Sequence, residues 1–278
     1  MFLMDYLNNL NTSELLDNIV CFRQHTLINY NSIDAIKADL QSVIPNNFNA
    51  HIEIGIGTQL FRIRKMENDI FNSVSDFWSP PPNNTKDGRL NRNNEPMLYV
   101  CTDHVTPFHE ARICKGEIFV LVFYRAKKPF NARLLEGVND GDCKSLINAG
   151  LSETGFVNYR IIRDFIRTEL IRDVGIGTEY LYGISNGIKE LLDKANKDHA
   201  YQYTSVNNYS KKNIAIKPDK AKEYLTCDNA FVGRFIDYSD DKKCVNLYQK
   251  GMYSNLSKSD DDITLELRRG DGIIKLCM

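Results

Sequence analysis

A chain of 278 residues, 42% of them hydrophobic, with a formal net charge of −1, has the make-up of a globular protein long enough to bury a sizeable core. Near-neutrality argues against nucleic acid as a direct partner, because gripping a phosphate backbone needs a marked excess of Lys and Arg. No stretch approaches the roughly 20 apolar residues that span a bilayer, and the opening MFLMDYLNNL, with no basic start and with Asp5 interrupting it, does not read as a secretory signal; the expected location is the cytoplasm, with no membrane partner.

Residues 1–45 read as two amphipathic helices. The first follows the cap candidates Asn11 and Thr12 and places Leu15, Leu16, Ile19, Val20 and Phe22 at helical spacing. The second begins after Asn31 or Ser32, carries Ile33, Ile36, Leu40 and Ile44, and stops before Pro45. Leu60, Phe61 and Ile63 predict a strand in QLFRIRK, and a polar loop containing PPPNN at 80–84 follows. MLYVCTD and EIFVLVFY have the β-branched and aromatic content of buried strands. Between them TPFHEARICK fits a short helix, with Thr106 as cap and Pro107 at its first position. Helices are expected over 158–173 and 183–197, and strands at YQYTSV and NIAIK. From about 221 a short helix is mixed with strands such as RFIDY, ITLELRR and GIIKLCM.

These elements predict an α+β protein with a mixed, strongly twisted β-sheet core flanked by helices, not a doubly wound sheet. They divide the chain into a helical extension over 1–56, a core over 57–220 and a β-containing extension over 221–278. Either extension could cover the core, hold a partner or mediate a homo-oligomer. GIGT occurs at 55–58 and at 175–178, but Leu60 and Tyr180 stand where a dinucleotide fingerprint needs its third glycine. Both copies are therefore expected to be turns. The seven cysteines form no CxxC pair and are expected to be reduced thiols. The five histidines are dispersed, with no helical metal-site spacing, so no metal is expected.

The informative residues are Phe61-Arg62-Ile63-Arg64, Gly88-Arg89-Leu90-Asn91, Leu98-Tyr99-Val100, Thr106-Pro107-Phe108-His109-Glu110, Tyr203-Thr204-Ser205 and Asn213-Ile214-Ala215-Ile216. In order and spacing they resemble the RES domain, named for an arginine, a glutamate and a serine. The likeness covers about residues 58–220. In that family the arginine lies in a G-R-x-N element before a strand ending in LY, the glutamate follows at a helix start, and the serine comes later in a Y-x-S turn. Arg89, Glu110 and Ser205 stand at those places here. The sequence departs from the pattern at Pro107, where the family has alanine, and at Leu90, where it has an aromatic; neither change removes a chemical group. The resemblance implies an ADP-ribosyltransferase-like fold, NAD as substrate, action as an NAD-degrading toxin and, for many relatives, a small helix-turn-helix antitoxin as partner.

The chemistry of the same residues points the same way. A planar guanidinium recognises the oxygens of a pyrophosphate in pairs, which suits Arg62 and Arg89, with Arg64 on the same strand face as Arg62 by period-two alternation. Tyr99 could stack on the flat, cationic nicotinamide. Glu110 could stabilise the oxocarbenium-like state reached as a glycosidic C–N bond breaks. Ser205 has no histidine in a nucleophile setting and suits a hydrogen bond to ribose or carboxamide instead; Asn91 and Asn213 are expected to orient the ligand. The reading is thus an NAD glycohydrolase or phosphorylase. Transfer of ADP-ribose to a macromolecule is the alternative within the enzyme class, and a non-catalytic nucleotide-binding module is the alternative outside it.

Overall fold

A computed structural model describes residues 3–29, 32–46, 48–66, 71, 73–138, 143–175, 177–194, 196–241, 243–254, 256, 264–267 and 273–277. The helices are α1 (Leu3–Asn9), α2 (Thr12–Asn29), α3 (Ile33–Gln41), α4 (Thr106–Glu110), α5 (Cys143–Asn148), α6 (Glu153–Leu170), α7 (Tyr182–Leu192) and α8 (Pro218–Tyr224). The strands are β1 (His51–Ile54), β2 (Gln59–Met66), β3 (Leu98–Cys101), β4 (Ile118–Ala126), β5 (Phe130–Leu134), β6 (Ala200–Thr204), β7 (Lys212–Ile216), β8 (Leu225–Tyr238), β9 (Cys244–Ser254), β10 (Thr264–Leu267) and β11 (Ile273–Cys277). They assemble into two compact units, each built from three separate stretches: 1–52, 86–95 and 132–204 in the first, and 53–85, 96–131 and 205–278 in the second.

The first unit is mainly helical. α1 and α2 pack on α6, and α3 packs on α2 and α7. α2 starts where the sequence predicts, because the Asn11 side chain caps it. That side chain accepts from the Ser13 amide at 2.9 Å and from the Glu14 amide at 3.3 Å. The helix buries Leu15, Ile19 and Phe22, and Phe22 meets Phe165 of α6 edge-on at 5.2 Å. Leu16 and Val20, one position further round, are about half exposed. α3 is capped by Ser32, which accepts from Ala35, and it buries Ile36 and Leu40; the other cap candidate, Asn31, lies outside the described residues. α1 was not expected, and its sequence gives little signal because Leu7 is its one buried residue. The fully buried Asn158 of α6 secures this corner by donating to the carbonyls of Leu7 and Leu10 and accepting from Thr12.

The second unit is an antiparallel sheet in the order β7-β3-β2-β4-β8-β9, with β10 on the second half of β9 and β11 on its first half. Residues 221–278 thus supply the strands that extend this sheet beyond β4. Alternation along β2 sends Phe61 and Ile63 to one face and Leu60, Arg62 and Arg64 to the other. Phe61 and Ile63 join a buried cluster with Val105, Phe108, Ile113, Phe119, Leu121, Phe231 and Phe235, so α4 lies on that face. Phe108 touches Phe119 edge-on at 4.8 Å. Removing its ring would cost about 3–5 kcal/mol.

α4 differs from expectation in its cap. The helix begins at Thr106, and it is the Asp103 carboxylate that accepts from the amides of Val105 (3.0 Å) and Thr106 (2.9 Å). Asp is a strong acceptor for such orphan donors and leaves the Thr106 hydroxyl for other use. The GIGT segment at 55–58 is a turn, as expected, and the described residues of the second copy, 175, 177 and 178, share its construction. Gly57 (φ 84°) and Gly177 (φ 85°) take a conformation that favours glycine. The Thr58 hydroxyl returns to the Gly55 carbonyl at 2.7 Å, and the Thr178 hydroxyl to the Gly175 carbonyl at 3.0 Å. Such local side-chain bonds close the turn. The expectation of reduced cysteines is corrected in one place. Cys244 and Cys277 are directly opposed in the β9–β11 register and form a disulfide, while Cys21, Cys101, Cys114 and Cys227 are free.

Candidate functional site

The G-R-x-N segment belongs to the first unit, and each of its side chains has a visible role there. Gly88 and Asn91 close a tight turn through Gly88 N–H to Asn91 O at 2.9 Å, which the Asn91 carboxamide ties to the carbonyls of Lys86 and Arg92. α7 holds the turn from outside: Ser185 donates to Arg89 O, Asn186 to Gly88 O and Lys189 to Leu90 O. Leu90 is fully buried. The Arg89 guanidinium donates to the carbonyls of Leu170 and Arg172 at the end of α6 and lies 5.8 Å from the Tyr182 ring centroid. A cation placed on the last carbonyls of a helix satisfies acceptors that have no intrahelical partner.

Within the second unit the structure brings Glu110 and Ser205 together. The Ser205 hydroxyl donates to Glu110 Oε1 at 2.5 Å, and the Val206 amide donates to the same oxygen at 3.1 Å. Ser205 is fully buried while Glu110 is partly exposed. The loop after Ser205 closes on itself through Ser205 N–H to Lys211 O and Lys211 N–H to Asn208 O, both 2.9 Å. It is fastened to α4 by Asn207, donating to His109 O at 3.1 Å, and by Asn208, donating to Thr106 Oγ1 at 3.3 Å.

Two further expected residues share the face of the sheet that α4 covers. Cys101 is opposite Phe61, so it points to the same side, and so does Asn213, which is opposite Cys101. Tyr99, two residues before Cys101 on β3, follows by alternation. The buried Cys101 thiol is pushed well above its ordinary range by burial, and further by the negative charges of Glu110 and Asp103. Asn213 is buried, and its Oδ1 accepts no hydrogen bond among the described residues. An unmet acceptor of that kind costs about 1–3 kcal/mol.

Arg62 and Arg64 are not brought together with Glu110. They stand on the opposite face of β2, alongside Val122 and Val120. There Arg62 donates to Trp78 O at 2.5 Å and Arg64 to Asp76 O, and Arg64 also lies 4.9 Å from the Phe71 ring centroid. The Tyr124 hydroxyl donates to Phe77 O from the same face. Burial, with Arg62 beside it, pulls the Arg64 guanidinium below its usual range. The two arginines and Tyr124 thus seat the segment 73–78 on the sheet. Next to it is a cavity of about 730 Å³ lined by Arg64, Trp78, Pro80, Pro218 and Lys222 among others.

Two residues of the second unit and one of the first escaped the sequence reading. Asp103 carried a usable signal, since Asp before a Pro-containing helix start is a cap pattern. Asn208 carried none, being one polar residue in a polar loop. Glu136, in the first unit, is a buried carboxylate that accepts from both the amide and the hydroxyl of Thr204 at 2.6 Å. Among the described residues no group of three or more His, Cys, Asp and Glu side chains is arranged to hold a metal ion, and no helix is long and apolar enough to cross a membrane.

Fold and site together define an α+β protein with a large, mostly antiparallel sheet and a buried serine paired to a partly exposed glutamate. No protein-family model matches the chain, and no curated protein matches it.

Proposed function

We propose that the chain is an NAD-consuming enzyme of the RES kind that breaks the bond between nicotinamide and ribose. The observation that carries this reading is the Glu110–Ser205 pair. These are two of the three residues for which the RES domain is named, and they lie 95 positions apart in sequence yet share a hydrogen bond. An antiparallel sheet with helices is compatible with the ADP-ribosyltransferase-like fold that the resemblance implies.

On this reading Glu110 is held by one oxygen and offers its carboxylate charge to the ribose as positive charge develops at C1′. The C1′–N bond breaks, its electron pair leaves with nicotinamide, and water or phosphate adds to C1′ with loss of a proton. Tyr99 and Asn213 lie on the same face of the sheet. They are assigned to nicotinamide, the ring by stacking on the cationic heterocycle and the unmet Oδ1 by accepting from its carboxamide. Arg62 and Arg64 are assigned to seating 73–78, and Arg89 with Asn91 to fastening α6 and its own turn. A small helix-turn-helix antitoxin and the role of a toxin belong to the same proposal.

The test is nicotinamide release from NAD by the purified chain, with and without phosphate. Release from NAD alone, falling about 10²–10³-fold in Glu110→Ala, supports the reading. Release only after adding cell extract would favour transfer to a macromolecule. NAD binding without turnover would leave a nucleotide-binding module in its place.

A further inference from the structure

We propose that Thr106 and Asn208, with Asp103 behind them, are positioning residues that set the direction of the hydrogen bond between Ser205 and Glu110. The inference rests on the reading of that pair as the reacting site. Its starting point is proton counting. The Asn208 backbone amide lies 3.1 Å from Ser205 Oγ and can only donate. Ser205 therefore accepts there, and its single hydroxyl proton goes to Glu110 Oε1. With the Val206 amide on the same atom, Oε1 is tied down twice. Oε2 accepts no hydrogen bond among the described residues, which leaves it to face a ligand.

That arrangement depends on where the Asn208 amide sits, which the loop's own bonds from Lys211 N–H to Asn208 O and from Ser210 Oγ to Asn208 Oδ1 set together with an anchor on α4. Asn208 reaches α4 through its side chain, which donates to Thr106 Oγ1. The Thr106 hydroxyl in turn donates to Asp103 Oδ2 at 2.6 Å, so its lone pairs are turned toward Asn208. Asp103 keeps this geometry because its other oxygen caps α4. A carboxylate at 103 thus orients a hydroxyl at 106, that hydroxyl places the amide at 208, and the amide dictates the donor role of Ser205. Thr106 is fully buried, so water cannot stand in for the missing group when it is changed.

Thr106→Val keeps the shape of the side chain, keeps the Asp103 cap and removes both hydroxyl bonds; Thr106→Ser keeps the hydroxyl. In the full-length protein T106V is expected to lower kcat for nicotinamide release about 10–100-fold while KM stays within about threefold, the signature of a misplaced reacting group. T106S is expected to recover most of that loss. Amide hydrogen exchange gives a readout that needs no activity. Loss of one hydrogen bond is worth about tenfold in protection, so the Asn208 amide is expected to exchange about tenfold faster in T106V while amides of β3 and β7 keep their protection. Should T106V fold poorly, Asn208→Ala, at a partly exposed position, serves the same purpose.

Unchanged Asn208 exchange in T106V overturns the inference, as does a T106S variant impaired as deeply as T106V. If the unmodified protein releases no nicotinamide, the reading of the site fails. The exchange result then decides alone whether Thr106 places the Ser205 loop.

Discussion

Ser205 donates its hydroxyl proton to Glu110 Oε1 at 2.5 Å, across a loop and a helix that meet only because the chain folds back over 95 residues. The serine reaches a substrate through the carboxylate it holds, so the two should not contribute independently. Ser205→Ala is expected to lower kcat/KM for nicotinamide release about tenfold, and Glu110→Ala about 10²–10³-fold. The double variant should be no slower than Glu110→Ala alone, because the serine then has nothing to hold. Fully additive losses would show that Ser205 touches the substrate on its own account.

Arg62 holds the carbonyl of Trp78 from the face of β2 remote from α4. Arg62→Ala should loosen 73–78 more than the sheet beneath it. Losing a hydrogen bond to a charged donor costs about 1.5–3 kcal/mol, so chymotrypsin should cut at Phe77 or Trp78 about tenfold faster or more. Affinity for NAD should stay within about twofold. A large loss of NAD affinity without new cleavage would restore Arg62 to a ligand-gripping role.

Arg89 offers a sharper separation of stability from chemistry. It makes two donations to the end of α6. Arg89→Ala is therefore expected to lose about 2–4 kcal/mol in urea unfolding, and Arg89→Lys roughly half of that, because an ammonium cannot span two carbonyls as a planar fork does. The folded fraction should keep its turnover. Full stability combined with lost turnover would instead place Arg89 among the reacting groups.

Glu169, in the last turn of α6, gives a pH signature of known sign. It is buried, and it faces Arg172 at 3.0 Å and Arg23 at 3.6 Å without the alignment of a hydrogen bond. Burial raises its carboxyl above the ordinary range, against the partial pull of Arg172 and Arg23. A raised carboxyl binds its proton more tightly in the folded state than in the unfolded state, so stability is lost as pH climbs from the unfolded value through the folded one. Glu169→Gln removes that titration. Relative to wild type, the variant should therefore become more stable as pH rises from about 4 to 7, read as the difference in urea midpoints. A difference that shrinks or stays flat over that range would contradict the assignment.

Much of this fold was legible in the sequence. QLFRIRK, MLYVCTD and EIFVLVFY form β2, β3 and β4, the first through alternation of apolar and charged residues and the other two through their apolar, β-branched and aromatic content. β9 was not foreseen. A register shift between its pairings with Val232 and Gly233 interrupts its alternation, so Val245 and Leu247 face the α4 side while Gly251 and Tyr253 face the other, and no single period marks the strand. At the site, alternation already grouped Arg62 with Arg64 and set them apart from Phe61. Which side α4 would cover was hidden, because that is decided by Phe108 and Ile113 meeting Phe119 and Phe235 from distant parts of the chain. Resemblance singled out Ser205 but gave its hydroxyl to ribose or carboxamide; its bond to Glu110 was hidden, as local pattern says nothing about a contact made through a loop 95 residues away.

β2 serves two masters, and its numbering keeps them apart. Phe61 and Ile63 seat the helix that bears Glu110, whereas Leu60, Arg62 and Arg64 point to the side where 73–78 is fastened. Walking alanine along this strand should therefore toggle between two phenotypes at every step. Odd positions would answer in turnover, even positions in susceptibility to protease, so that a single strand reports on both sides of the sheet in one experiment.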